Sequence, residues 1–552
     1  MTDFDLEKPR LVESGQGFRF LNVEYKKRFL YSKYDPYRNV KTLIDNLNIL
    51  EGSLLVISSP GLFYGIEELL DKIPPDTYLI AFEADPELAA VSSSSELYKK
   101  HRDIPLFTWN DLNILDDYVR NLCHKGHVRR ALSIEFSAGL SYCREKYSRL
   151  MSGLTDIIGG FWKNRVTLVK MGRMYSRNVF RNLSLRKSSP LLDDVRASVK
   201  KDILVIGAGE SLDSFEYWDQ VKKGSFYVIA VDAALIPLRE RGIVCDALVS
   251  LECQSLIDSF YVGVEGLDKS VLFADLCSRN EVCSRFKNRV FFLSQYSPGP
   301  FLDSLVENKI AASFIPPLGS VGLAAVYIAL KLRFNEDVKV FTLGLDFSYS
   351  PGLTHSKNAP AHIARLASSD RKKTVENYEA VFSTASFFAP DKSGKNVCTT
   401  KVLSLYASQF KNEFRGIKNL YDAGKSGLDL GLPPADKILI EESIKKSRTN
   451  EGVINEKALQ GSCPFVSDFL RKEKEELEEA CDLLSRGEES LYRKKDLSLD
   501  VQLKMLLEKK DYLYLHFPDG FEYSGDVQFL KRVKAEILYF LKQCKISIQN
   551  SV

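Results

Sequence analysis

Six short, mostly apolar runs punctuate the middle of this chain, at 203–206, 226–231, 247–251, 271–273, 290–293 and 338–343, with helical patterns between them. Runs of this length and character predict buried parallel strands. Strands alternating with helices confine the segment to a doubly wound α/β arrangement. Ligands of open parallel sheets collect beyond the carboxyl ends of the strands. The residues that follow each run are therefore the ones to inspect for chemistry.

After the run at 203–206 comes Gly207-Ala208-Gly209-Glu210-Ser211-Leu212. Gly207 and Gly209 permit a tight turn, and a helix N-terminus with Ser211 favours an anion. Leu212 stands where a dinucleotide fingerprint has its third glycine, and no Gly-Lys-Ser/Thr of a P-loop follows. A tight turn that binds nothing is the competing reading, and Glu210 would repel an anion unless turned away. The next strand ends at Asp232, roughly 20 residues beyond the glycine turn, where an acidic group commonly accepts hydrogen bonds from a ribose. A third ends at Ser250-Leu251-Glu252, and Gly319-Ser320-Val321-Gly322 opens a helix whose apolar positions 321, 324, 325, 328 and 332 keep helical spacing. The last run leads into Gly344-Leu345-Asp346-Phe347-Ser348-Tyr349, with His355 close behind. Convergence of Gly207, Asp232, Glu252, Ser320 and Asp346 at strand ends and helix starts predicts one nucleotide-binding cleft.

At 552 residues the chain is too long for one ordinary core. Three regions separate by pattern. Residues 1–195 predict a Rossmann-like α/β domain with a helical linker: strands at 53–57 and 78–82, a helix at 63–71, and a long helix over 148–185 ended by Ser188-Ser189-Pro190. Only Gly61 and Gly65 remain of the glycines a phosphate requires, so this unit is expected to bind no cofactor. Residues 196–430 form the central doubly wound domain. Residues 431–552 predict a helical domain, with amphipathic stretches at 469–489, 497–512 and 525–544.

A net charge of +3 is too small to imply nucleic-acid binding, and the basic clusters at 175–187 and 471–474 read as solvated helix faces. The ten cysteines include no C-x-x-C pair, which fits a reducing compartment. The N-terminus is acidic without an apolar core, and no run approaches the ~18 apolar residues of a membrane span. These features predict a cytoplasmic protein with no membrane span.

The stretches 206–213, 230–235 and 246–252, with Gly319-Ser320-Val321-Gly322, Gly344-Leu345-Asp346-Phe347, Thr354-His355, Thr399-Thr400 and Gly427-Leu428, resemble the motility-associated factors, or Maf flagellin glycosyltransferases. That family shares a domain with the archaeal 6-hydroxymethylpterin diphosphokinases (MptE-like), and the central domain is also similar to bacterial sialyltransferases that use CMP-activated sugars. The resemblance implies transfer of a nonulosonic acid, of pseudaminic or legionaminic type, from its CMP donor to Ser or Thr hydroxyls of flagellin. It implies that Gly207, Gly209 and Ser211 hold the phosphate and that Asp232 and Glu252 hold the nucleoside. Ser320 would lie near the donor carboxylate, Gly322 and Gly344 would belong to the substrate-binding set, Asp346 would organise the catalytic site, and Tyr349 would lie near the leaving phosphate. His355 would be the general base, with His362 the alternative. No metal and no cofactor beyond the donor is expected.

Two other readings are open. An MptE-like pyrophosphokinase would use ATP and magnesium, with Asp232, Glu252 and Asp346 as oxygen ligands. A noncatalytic motility scaffold would keep the fold without turnover.

Overall fold

The computed structural model describes residues 8–15, 20–294, 299–372, 381, 384–446, 454–486 and 497–550. The chain divides into two compact units, residues 1–170 with 517–522, and residues 171–516 with 523–552. The expected boundaries at 195/196 and 430/431 both fall inside the second unit. The predicted long helix is Arg144–Arg186 and contributes residues to both units.

The first unit opens with an antiparallel sheet of β1 (Arg10–Ser14), β2 (Phe20–Tyr25) and β3 (Arg28–Phe29). A parallel sheet follows, built from β4 (Ser53–Ser58), β5 (Tyr78–Glu83), β6 (Leu106–Thr108) and β7 (Arg130–Glu135) in the order β6-β5-β4-β7. Every residue of β4 is buried, as its apolar run requires. The turn after β4 is filled from within the protein. Gly61 has a left-handed φ of +52°, and a Cβ there would lie 2.3 Å from the Tyr31 hydroxyl. That hydroxyl accepts the Leu62 N–H at 2.6 Å and donates to the Pro60 carbonyl at 3.3 Å. Tyr31 therefore takes the N–H and the space that a phosphate would need at this turn.

The second unit is built on eight parallel strands: β8 (Ile203–Ile206), β9 (Tyr227–Val231), β10 (Ala247–Ser250), β11 (Val271–Asp275), β12 (Asn288–Ser294), β13 (Phe314–Ile315), β14 (Val340–Leu343) and β17 (Leu420–Asp422). Their order is β13-β12-β11-β10-β9-β8-β14-β17. All six predicted strands are present, within a few residues at their ends. The chain steps outward from β8 to β13, then returns to lay β14 on the other side of β8. The order reverses there, and the residues leaving β8 and β14 face each other across the switch point. Helix Val321–Leu332, almost wholly buried, packs across β8, β9 and β10. A hairpin of β15 (Ser386–Pro390) and β16 (Asn396–Thr400) is joined to the loop after β14 by paired backbone bonds between Tyr349 and Cys398, at 2.8 and 3.0 Å.

Helices Phe465–Arg486, Leu497–Leu507 and Val527–Gln549 belong to this same unit. Residues 487–489 of the first predicted amphipathic stretch lie outside the described residues. The helix predicted through 512 stops at Leu507, where Lys510 turns inward and donates to Glu473 and Glu476 at 2.7 and 2.8 Å. The basic cluster at 471–474 is a solvated face, paired along its own helix through Arg471–Asp468, Lys472–Glu476 and Lys474–Glu478. The cluster at 175–187 corrects the sequence reading. Arg181 pairs with Glu281 and bonds Gln543, and Arg186 is buried and donates to the Ile310 carbonyl at 3.0 Å. These arginines are packing residues within the second unit.

Candidate active site

Where β8 and β14 end, two glycine turns meet. Gly207 N–H donates to the Leu343 carbonyl and Gly209 N–H to the Gly344 carbonyl, each at 2.8 Å. The backbones lie so close that a Cβ on Gly207 would sit 2.3 Å from the Gly344 carbonyl oxygen, and one on Gly344 2.7 Å from the Gly207 oxygen. Gly344 also has a left-handed φ of +73°. Glycine is needed here for turn-on-turn contact, whatever the site binds.

Asp346 clips this crossing. Its carboxylate accepts the Ser211 N–H at 2.7 Å and the Ser211 hydroxyl at 2.6 Å, and the Ser211 hydroxyl accepts the Gly344 N–H at 3.1 Å. Burial pushes the Asp346 carboxyl up to about 6, with the Ser211 bonds and the Lys392 charge acting against that rise. Gly207, Gly209 and Ser211 thus spend their N–H groups inside the protein. Glu210 is turned aside and accepts from the Ser350 N–H and hydroxyl at 3.1 and 3.0 Å.

Beyond the crossing lies a cleft of about 420 Å³. Of the residues singled out in the sequence, Gly207, Gly209, Ser320, Gly322, Gly344, Asp346, Tyr349 and His355 line it. Ser320 caps helix Val321–Leu332, its hydroxyl accepting the Gly322 N–H at 3.2 Å. Burial raises the Tyr349 hydroxyl to about 12, so it is a proton-bearing donor near neutrality. His355 Nδ1 lies 3.2 Å from the Thr354 hydroxyl. Burial, then the charges of Arg365 and His362, hold its imidazole below the usual value, so it is neutral at pH 7.

Ser211, Asp232 and Glu252 are not on the cleft wall. Ser211 is the buried clip already described. Asp232 is buried and accepts the Tyr261 hydroxyl, while Glu252 accepts the N–H groups of Cys253 and Gln254 at 2.9 Å each. Asp232 is held by Tyr261 and Glu252 caps its own turn through one carboxylate oxygen, and among the described residues no group of three or more His, Cys, Asp or Glu side chains could hold a metal ion. Arg365, on helix Pro360–Ala367, lines the cleft and was not singled out from the sequence. A second cavity, about 470 Å³, opens beside Cys245 and Ser270. Those residues precede β10 and β11, at the strand ends where open parallel sheets do not place ligands.

Burial gives Asp232 a testable signature. Its carboxyl is raised from the ordinary 3.8 to about 7 by burial, against the Tyr261 bond. Well below pH 3.8 the folded and unfolded chains both hold the proton, and burial of the neutral acid carries no ionisation penalty. Between about 4 and 7 the folded chain alone keeps it, so stability falls as pH rises and the penalty is complete above 7. Asp232→Asn still accepts from Tyr261 and cannot ionise. The margin by which its melting temperature exceeds the parent's should widen by about 2–4 °C between pH 5 and pH 8, as read by thermal shift.

A doubly wound parallel sheet with a cleft at its switch point defines a Rossmann-like α/β protein. Residues 174–352 match the family described as 6-hydroxymethylpterin diphosphokinase MptE-like. The chain is similar to an uncharacterized protein of Treponema pallidum (strain Nichols), 29% identical over 564 aligned positions that span 97% of this chain and 94% of the relative. Its fold is similar to that of the Maf glycosyltransferase from Magnetospirillum magneticum AMB-1, with a TM-score of 0.53, 14% identity, and coverage of 99% of this chain and 91% of the other. The Maf resemblance read in the sequence is thus borne out: the chain carries an MptE-like domain and has the Maf glycosyltransferase fold. No helix among the described residues is long and apolar enough to cross a membrane.

Proposed function

We propose that this protein is a glycosyltransferase that moves a nonulosonic acid from its CMP donor to Ser or Thr hydroxyls of flagellin. The observation that carries the reading is the cleft at the β8/β14 switch point, where a neutral imidazole, a protonated phenol and a capped helix N-terminus line one space. The acceptor oxygen attacks the anomeric carbon as its bond to the CMP oxygen breaks, and the hydroxyl proton passes to His355 Nε2. That role requires Nδ1 to carry the other proton, which the Thr354 hydroxyl is placed to accept. The Tyr349 hydroxyl supplies a donor, and the N-terminus of helix Val321–Leu332, whose Gly322 N–H Ser320 already holds, supplies its positive dipole end for the charge that develops on the departing phosphate. Cytoplasmic location and the particular sugar belong to this reading as expectations.

The test is the mass of flagellin from cells with and without the gene. Loss of the gene should lower flagellin mass by whole sugar residues, and an unchanged mass would remove the transferase reading. Calorimetry on the isolated protein adds a second check: CMP should bind without metal and more tightly than ATP. Magnesium-dependent ATP binding with none for CMP would favour pyrophosphoryl transfer.

A further inference from the structure

We propose that Arg365 is the anion-recognition residue of the cleft, the side chain on which a carboxylate or phosphate group of the substrate docks. This deepens the glycosyltransferase reading and takes its substrate class from it, but it assigns a residue to which that reading gives no part.

Geometry carries the assignment. Arg365 lies in the second turn of helix Pro360–Ala367, exposed to solvent, and lines the cleft alongside Tyr349, Thr354 and His355. One of its five N–H groups, on Nη1, donates to the Thr354 hydroxyl at 2.9 Å. That bond orients the guanidinium and leaves the remaining donors for a ligand. Other arginines of this unit are tied to carboxylates, Arg241 to Asp213 at 2.7 Å and Arg279 to Asp258 at 2.9 Å. Among the described residues no carboxylate pairs with Arg365.

Charge points the same way. Among the described residues lining the cleft, Arg365 is the only lysine or arginine, and Asp346 is the only carboxylate. Asp346 is turned onto Ser211 and does not neutralise it. A planar guanidinium with unspent parallel donors is matched to carboxylate and phosphate oxygens, which it binds in bidentate fashion. Arg365 also acts on His355, whose proton affinity its charge depresses. An anion docked on Arg365 cancels that charge and makes His355 a stronger base at the moment the substrate is in place.

The experiment uses the full chain with its six histidines labelled at Cε1, the His355 resonance being assigned by its loss in His355→Gln. Inorganic phosphate and acetate are titrated separately. In the parent protein either anion should raise the His355 titration midpoint by about half a pH unit. Arg365→Met should begin at the higher midpoint and respond to neither anion, and Arg365→Lys should recover part of the response. A parent resonance unmoved by both anions, or an equal response in Arg365→Met, would overturn the proposal. Calorimetry then names the source. An approximately tenfold or greater loss for CMP and CMP-sialic acid alike in Arg365→Met identifies the phosphate, and a loss confined to the sugar nucleotide identifies the carboxylate. If the parent binds neither nucleotide while His355 still responds to phosphate, the CMP reading fails and the anion site stands.

Discussion

Turnover by a His355→Ala protein should fall about 10²–10⁴-fold while donor affinity stays within a small factor of the parent, because the general base acts only as the acceptor proton departs. Calorimetry with CMP and single-turnover transfer separate the two quantities. His355 is half-buried and its side chain bonds the neighbouring Thr354 hydroxyl, so its loss should leave the melting temperature nearly unchanged. The pH profile is a stricter check. The imidazole lies below its ordinary 6.5, so the active neutral form persists to lower pH and the acid limb of the rate should fall below pH 6.5. Full activity in a folded His355→Ala protein would remove it from the mechanism and turn attention to His362.

The largest stability effect is expected at the crossing of the two glycine turns. Gly207→Ala places a Cβ 2.3 Å from the Gly344 carbonyl oxygen and 2.6 Å from Leu345 Cδ2. The nearest obstacle is backbone, held by the bonds of Gly207 and Gly209 to β14 and its turn, so it cannot swing away as a side-chain tip can. The substitution should cost about 3 kcal/mol or more, seen as a lower urea midpoint. Gly153→Ala is the control of opposite sign. It lies within helix Arg144–Arg186, a Cβ there meets nothing within 4 Å, and alanine should stabilise the helix by up to about 1 kcal/mol. A Gly207→Ala protein as stable as its parent would show that the turns can part.

The strands that build the cleft were legible because burial on both faces leaves them as unbroken apolar runs. β13 and β17, of two and three residues, are too short to show any period, and both are edge strands added by pairing. The hairpin β15–β16 was missed because Phe387 and Phe388 are adjacent and both exposed, which breaks the alternation a half-buried strand shows. Among the candidate site residues, glycines and strand-end positions were readable, but side-chain direction was not. Asp232 and Asp346 occupy similar strand-end positions, yet one turns to Tyr261 and the other to Ser211, 135 positions away. Arg365 left no signal, since an exposed arginine on a short helix is ordinarily a solvated one. The available clue was Pro360, a helix-starting residue five positions after His355, which sets the next helix beside the cleft.

The interlocking of Gly207 with Gly344 bears on how such a chain can change over time. Their carbonyls occupy each other's missing side-chain space, so a variant at either position is penalised by the unchanged backbone of the other. No order of single substitutions escapes the penalty, because the obstacle is main chain in both directions. Two turns 137 residues apart in the sequence therefore behave as one heritable unit, and a descendant lineage could abandon the chemistry of the cleft long before it could abandon the pair.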